Sequence, residues 1–470
     1  MTIVEASYLA FACASGVLFL ILPVRAAILT VFMGGWLLLP VGIYPQDAAE
    51  ARFPWWITGV AVPSDMLLTK GWVPAVTALF WAVATGWRQL QDWRPSVLDL
   101  PMALWCLWPL FHLLQPDAGA DPAPWLAATY LMGTWGATWL LGRIWFATAA
   151  GTLHLVRGLA IAGLLCLPFA LLESGLPPNL YGLLFEPHPF RADGVGRPMG
   201  FRPIGFFEHG NQYAIWVAAC AIAAVWVVGA DAASRRSWLF PLAAGASVVL
   251  TLASQSRGAV LLLALFLIVL VFWQSRLVRR LGVGLMLVTV VLLAVHLSGL
   301  LPLQDFVRRT DIGRQVLSGL REAGLGSFTW RFGQDVRSLQ MILETPLIGA
   351  GRWDWSHPVG TRPWGLWLLA AGQFGLVAVG LALTGLILPA MIAFRAHAGH
   401  AIWKSSAAVV PLGLIALMTV ADAWFNSWVF FPGVMAAGAL VAARSSAHPA
   451  ASRHRPARGT PEDDLDQASE

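Results

Sequence analysis

Charge is what this chain has least of. Asp, Glu, Lys and Arg make up 12% of its 470 residues, against 58% hydrophobic, and a soluble domain of that length would need more charge to cover its surface. Lysine is almost missing: Lys70 and Lys404 are the only two, so the net charge of +5 comes almost wholly from arginine. A GC-rich genome would produce that bias, and so would a use for guanidinium as a bidentate phosphate ligand; composition leaves both open. Cysteine is scarce as well. Cys13, Cys106, Cys166 and Cys220 fall inside apolar runs with no CxxC or Cys/His spacing. That pattern argues against a disulfide framework or a zinc site and for small buried side chains. The first apolar segment, Ala6 to Val24, lacks a basic leader and a small-residue cleavage site, and reads as a retained helix rather than a signal peptide.

What is present is a series of apolar runs near the length needed to cross roughly 30 Å of hydrocarbon as a helix. The candidate spans are 6–24, 26–43, 71–87, 96–115, 125–142, 157–175, 208–229, 237–255, 258–273, 281–301, 366–394, 405–424 and 428–442. Only helices satisfy their own backbone in lipid. The expected fold is therefore all-α, a polytopic membrane bundle of about twelve helices (twelve or thirteen, depending on whether the first two merge or re-enter). Arg88 and Arg94, Arg143, Arg235 and Arg236, the group Arg276, Arg279 and Arg280, and Arg395 with Lys404 occupy alternate connections. By the positive-inside rule that face is cytoplasmic. The chain then divides into N-terminal helices over 1–200, a central region over 201–394, C-terminal helices over 395–443, and a disordered cytoplasmic tail over 444–470.

The same orientation puts three polar segments outside. The largest is the 302–365 loop, which holds eight arginines (Arg308, Arg309, Arg314, Arg321, Arg331, Arg337, Arg352 and Arg362) against six carboxylates. A cationic external loop breaks the positive-inside trend and suggests an anionic ligand at the membrane surface. Within it, Trp330 to Leu343 reads as an amphipathic helix, with Val336, Leu339 and Leu343 on one face and Arg331, Asp335 and Ser338 on another. Arg331 and Asp335 also suit a plain i,i+4 pair on a solvated face. Pro346 stops that helix, Gly349 and Gly351 permit a tight return, and His357 follows. The second segment, Arg202-Pro-Ile-Gly205-Phe-Phe-Glu208-His209-Gly-Asn211, opens a membrane helix. Free N–H groups and a fixed guanidinium there make an anion site or, more plainly, a capped interfacial end. The third, Ser254-Gln-Ser256-Arg257-Gly-Ala259, wedges a charge between two apolar runs. Such an arginine either lines a wet cavity or snorkels.

Taken together these segments resemble the O-antigen ligase and polymerase superfamily of bacterial envelope enzymes, grouped by a Wzy-type C-terminal region. The resemblance covers about residues 200–380. Its parts are the Arg202…Gly205…Asn211 entry, the Ser256-Arg257-Gly258-Ala259 turn, the Arg331…Pro346-Leu-Ile-Gly349-Ala-Gly351 block, and Leu368-Leu-Ala-Ala-Gly-Gln373-Phe374-Gly375-Leu376 as a final helix start.

The resemblance implies a GT-C-like membrane glycosyltransferase of the inner membrane, with its large loop periplasmic. Such enzymes pass a glycan from an undecaprenyl-diphosphate carrier to a glycan, lipid or protein hydroxyl, without a metal or other cofactor and with no nucleic-acid partner. Carried over by position, Arg202, Arg257 and Arg331 would hold the diphosphate, with Asn211, Ser256, Asp335, Gly349 and Gly351 in support. The chain departs from the family at the His-Asn pair before the last helix, where Trp364 and Gly365 stand. His357, Glu208 and His209 are the candidates for its catalytic role. A transporter of lipid-linked sugars and a non-catalytic assembly protein are the rival classes. A transporter should carry its charges on helices near mid-membrane, whereas these charges sit in loops and at helix ends.

Overall fold

The computed structural model describes residues 2–41, 68–114, 119–175, 180–185, 200–230, 236–297, 300, 307, 309–322, 335, 337–356 and 363–441. Among them there is no strand ladder, and Asp121 and Arg352 form an isolated bridge. The protein is an all-helical bundle. Six helical stretches are long and apolar enough to cross a membrane, and five shorter apolar helices of 10–17 residues accompany them.

The helices run in chain order as α1 (Ile3–Ile21), α2 (Val24–Leu38), α3 (Val73–Thr85), α4 (Leu100–Leu107), α5 (Pro124–Leu131), α6 (Ala137–Trp145), α7 (Ala149–Gly175) and α8 (Gly210–Ala230). Then follow α9 (Leu239–Ala253), α10 (Arg257–Val271), α11 (Arg276–Leu297), α12 (Asp311–Glu322), α13 (Leu366–Ala396), α14 (Val409–Asp422) and α15 (Phe431–Leu440). Each of the thirteen expected spans coincides with one of these helices, with α4 extended by flanking 3-10 turns and with α5 and α6 joined through a π turn at Met132–Gly136.

The first two spans do not merge into one helix. The α1 helix starts on a capping box in which the Thr2 hydroxyl accepts from the Glu5 amide and the Glu5 carboxylate accepts from the Thr2 amide, and it stops at Leu22-Pro23. Tyr8, near its start, donates its hydroxyl to the Pro40 carbonyl beyond the end of α2 at 2.7 Å. The pair is thus an antiparallel hairpin.

The α8 helix is the central post, buried continuously from Gln212 to Ala224 and packed by α7, α9, α10 and α14. Its alanines and Cys220 let neighbours come close, as small residues do where lipid supplies no hydrophobic drive between helices. A Cβ on Gly163 of α7 would lie 2.5 Å from the Cys220 Cβ. The α6 and α15 backbones also meet, for a Cβ on Gly142 would fall inside 3.0 Å of the Met435 carbonyl and one on Gly438 inside 3.0 Å of the Trp139 carbonyl.

Helix direction sorts the polar residues into two ends. At one, Arg25 Nε donates to the Trp145 carbonyl at 2.7 Å, and Arg143 pairs with Asp99 at 3.1 Å while donating to the Arg94 carbonyl. Arg279 donates to the Trp273 carbonyl, and the Trp273 indole to the His397 carbonyl. The start of α1, the end of α7 and the start of α8 lie at the other end, tied by Tyr8 to Pro40, by Val41 to Tyr181, and by the Val41–Tyr181–Phe206 cluster.

The α13 helix is broken. At Gly375, φ is +85° and ψ 168°, so a fully buried half from Leu366 to Phe374 is followed by a second half running to Ala396. Three hydrogen bonds from the 346–351 segment stand in for those the break removes. Ala350 N–H donates to the Gly372 carbonyl (2.8 Å), Gly351 N–H to the Gln373 carbonyl (2.9 Å), and Leu376 N–H to the Pro346 carbonyl (2.7 Å). The Gly375 that the sequence sets at a helix start is therefore a break within a longer helix.

Candidate functional site

At the Tyr8 end of the bundle, one loop carries most of the polar groups. The segment from Phe201 to His209 enters α8, and two buried charges hold it. From α7, the Glu173 carboxylate accepts the Ile204 and Gly205 amides, each at 2.9 Å, and Gly205 takes φ +59° to present them. From the chain before α3, Lys70 donates to the Phe206 carbonyl and lies 5.2 Å from the Phe207 ring centroid. Lys70 is 0% exposed. Burial lowers its ammonium below the ordinary lysine range, and the nearby Glu208 carboxylate pulls it back up.

Held this way, Arg202 folds back over the first residue of α8. A Cβ on Gly210 would meet the Arg202 guanidinium inside 3.0 Å, so only glycine admits it there. The guanidinium, 4% exposed, donates through Nη2 to Asn211 Oδ1. It thus sits on the positive end of the bundle's central helix, where backbone N–H groups and a fixed charge act on the same space. Asn211 passes the contact on to Asn426, and Asn426 to Asp422, beside the start of α13, whose Leu366 amide donates to the Asn426 carbonyl at 3.0 Å.

Glu208 and His209, candidates for a general base, have defined partners. Glu208 is 0% exposed; its amide donates to Gln212 Oε1 and its carboxylate accepts from Gln212 Nε2. Its charge acts on the buried Lys70 nearby. His209 is half-buried, its ring lies 5.4 Å from that of Trp428, and its Nδ1 accepts the Asn211 amide at 3.1 Å. In the neutral ring that acceptor role leaves the proton on Nε2. His357 lies outside the described residues.

The Ser256–Arg257 turn reaches the same loop. Gln255, at φ +52°, donates its side-chain amide to the Phe201 carbonyl at 2.9 Å, which joins the α9–α10 turn to the residue next to Arg202. Ser256 is buried at the N-cap of α10, and Arg257, the first residue of that helix, is exposed. Two of the three sequence-predicted arginines therefore share one neighbourhood. Arg331 lies outside the described residues.

Elsewhere in the loop, the structure departs from the expected faces. Over 337–342 the buried positions are Ser338, Leu339 and Ile342, Asp335 is buried just before them, and Arg337, Gln340 and Leu343 point outward. The polar Asp335 and Ser338 thus belong to the inner face and Leu343 to the outer, a rotation of the expected pattern. Gly349 and Gly351 take φ of +84° and +67° and press against the α13 break and the His112 ring. Asp121 then fixes the next turn, its amide donating to the Gly351 carbonyl and its carboxylate accepting from the Trp353 indole. Trp355 lies across Gly372, where any side chain would collide with the indole. The 346–356 segment is a strut seated on α13.

Lys70, Glu173, Asp422 and Asn426 were missed by motif reading. One signal was available for each charge: an ionisable residue within or beside an apolar run is costly unless it has work there. Among the described residues, no group of three or more His, Cys, Asp or Glu side chains is placed to hold a metal.

Comparison with known families places this architecture. A family model described as Wzy_C, O-Antigen ligase, matches residues 240–365, from the start of α9 to the residue before α13. No curated protein and no solved structure matches the chain. The matched region contains Ser256, Arg257, Arg331, Asp335, Gly349, Gly351 and His357, while Arg202, Glu208, His209 and Asn211 precede it. Over residues 240–365, this helical membrane protein is similar to the O-antigen ligase family, which supports the resemblance to the O-antigen ligase and polymerase superfamily.

Proposed function

We propose that the protein transfers or polymerises a glycan carried on undecaprenyl diphosphate at the outer face of the bacterial inner membrane, with arginines receiving the leaving diphosphate. The acceptor hydroxyl attacks the anomeric carbon, the bond from that carbon to the diphosphate oxygen breaks, and its electron pair leaves on the diphosphate. Arg202 and Arg257 stabilise that charge, Arg202 from the α8 N-terminus and Arg257 from the exposed start of α10, and Arg331 joins them from the loop. Bidentate guanidinium–phosphate contacts suit a charge that develops only as the bond breaks. His209 donates its Nε2–H to a diphosphate oxygen, and His357 takes the acceptor proton. The basic end of the bundle is the cytoplasmic one in this reading, which sets the Arg202 end outside.

The observation that carries the reading is the hydrogen bond from Gln255 to Phe201. It joins the arginine turn inside the family-matched region to an arginine loop that precedes it. Deleting the protein from its host and analysing surface and lipid-linked glycans tests the reading. Accumulated single repeats indicate a polymerase and accumulated long lipid-linked chains a ligase, while an unchanged glycan profile refutes both. Arg257→Ala should abolish the product with the protein still inserted.

A further inference from the structure

Four side chains from two distant parts of the chain form one file of hydrogen bonds with a single polarity. Arg202 Nη2 donates to Asn211 Oδ1, Asn211 Nδ2 to Asn426 Oδ1 at 3.5 Å, and Asn426 Nδ2 to Asp422 Oδ1 at 2.7 Å. The other Asp422 oxygen accepts the Trp428 indole at 3.1 Å. A carboxylate only accepts and a guanidinium only donates, so the two ends of the file fix which way both amides face. Nothing in the file can reverse without setting donor against donor.

Asp422 is an unusual residue to find there. It is buried at 4% exposure and closes α14, at the negative end of that helix's dipole, where a carboxylate is disfavoured. Asn426 is fixed from its backbone too, its N–H donating to the Asp422 carbonyl and its carbonyl accepting from Leu366. The file therefore grows out of the rigid meeting of α13 and α14 and ends on the guanidinium.

We propose that Asp422 is a positioning residue for Arg202, acting through Asn426 and Asn211; this rests on the diphosphate reading of Arg202. A carboxylate touching Arg202 would orient it but would also neutralise it and compete with the incoming phosphate. With two amides between, Asp422 orients the guanidinium through the neutral Asn211 oxygen rather than by a direct contact of opposite charges. Asp422 lies outside the family-matched region and more than 200 positions from Arg202 in sequence, so no motif would join them.

The test is equilibrium binding of undecaprenyl diphosphate, with undecaprenyl monophosphate as the comparison, to the full-length protein in nanodiscs. Asp422→Asn leaves either Trp428 or Asn426 facing a donor, and should weaken diphosphate binding about 10-fold or more, as expected for hydrogen bonds that serve a charged group. The exchange Asp422→Asn with Asn426→Asp restores every pairing. Asn at 422 accepts from Trp428 and donates to Asp at 426, which also accepts from Asn211. That double variant should bind within about 3-fold of the parent, a rescue that simple loss of packing would not give. Arg202→Ala separates the two readings: unchanged binding in this variant overturns the diphosphate site itself. Weakened binding there with unchanged binding in Asp422→Asn overturns the relay alone. If Asp422→Asn does not fold, the exchange variant decides by its affinity, and failure of both to fold shows a purely structural role and overturns the proposal.

Discussion

Replacing Gly375 by alanine attacks the joint between the 346–351 segment and the bundle. The cost has two parts. Gly375 sits at φ +85° and ψ 168°, a region almost reserved for glycine, and forcing alanine into it costs about 1–3 kcal/mol. The new Cβ would also fall within 3.0 Å of the Leu347 carbonyl and 2.6 Å from the Ile348 nitrogen. It cannot stay without lifting the 346–351 strut. Lifting it breaks the three hydrogen bonds from Ala350, Gly351 and Leu376, each worth about 1 kcal/mol net. The sum is a loss of roughly 4–6 kcal/mol. Gly380, a turn further along the same helix, meets nothing within 4 Å, and alanine there should gain about 0.5–1 kcal/mol of helix propensity. Thermal unfolding of the two variants in detergent, with limited trypsin cleavage at Arg337 and Arg352 as a reporter of loop docking, gives the comparison. A Gly375→Ala protein that melts with the Gly380→Ala protein and is cut no faster would refute the strut.

The other predictions rest on single contacts. Lys70→Met should destabilise the protein by about 3–5 kcal/mol by stranding the Glu208 charge, whereas Lys70→Met with Glu208→Gln should recover most of it; a double variant no more stable than the single would remove the pairing. Gly210→Ala, whose Cβ would collide with the Arg202 guanidinium, should abolish glycan product with the protein still folded, while Gly245→Ala, with nothing within 4 Å, should leave product at the parent level. Arg352→Ala removes a bidentate pair with Asp354 at 3.0 Å, but its side chain is 47% exposed, so melting should fall by less than about 1 kcal/mol. A larger drop would mean that Arg352 bears on the Asp121 turn as well.

Much of the fold was legible because lipid leaves a chain few options. Thirteen apolar runs became thirteen helical stretches, since a backbone in hydrocarbon must bond to itself. The path of the first two runs was harder to read: Leu22-Pro23 looks like a kink as readily as a hairpin turn, and the Tyr8–Pro40 contact across the pair shows the hairpin. The loop helix was misread for a similar reason. Periodicity locates an apolar stripe but not what lies opposite, and Asp335 with Ser338 turned out to face the protein. In the site, arginines next to glycines could be read as motifs because both residue types are rare enough in apolar sequence to stand out. Their holders could not. Glu173, Lys70 and Asp422 are isolated single residues, and their meaning depends on contacts across the bundle rather than on any local spacing.

Those three holders suggest why the site is built at the meeting of helix ends. Each is a buried charge of the kind that costs several kcal/mol unless fully satisfied, and a bundle needing only stability would replace them with apolar side chains. All three act on one short loop: Glu173 on the amides of Ile204 and Gly205, Lys70 on the Phe206 carbonyl, and Asp422 on Arg202 through two amides. The loop they fix carries the guanidinium and the histidine that bracket the start of α8. A site that stabilises charge appearing only in a transition state gains most when its donors need not reorganise as the charge develops. Fixing a loop backbone that tightly takes charged partners, because apolar packing has no direction and leaves amides free to rotate away. In the proposed diphosphate site, the stability given up in burying Glu173, Lys70 and Asp422 goes to holding the Arg202 loop in place before a substrate arrives.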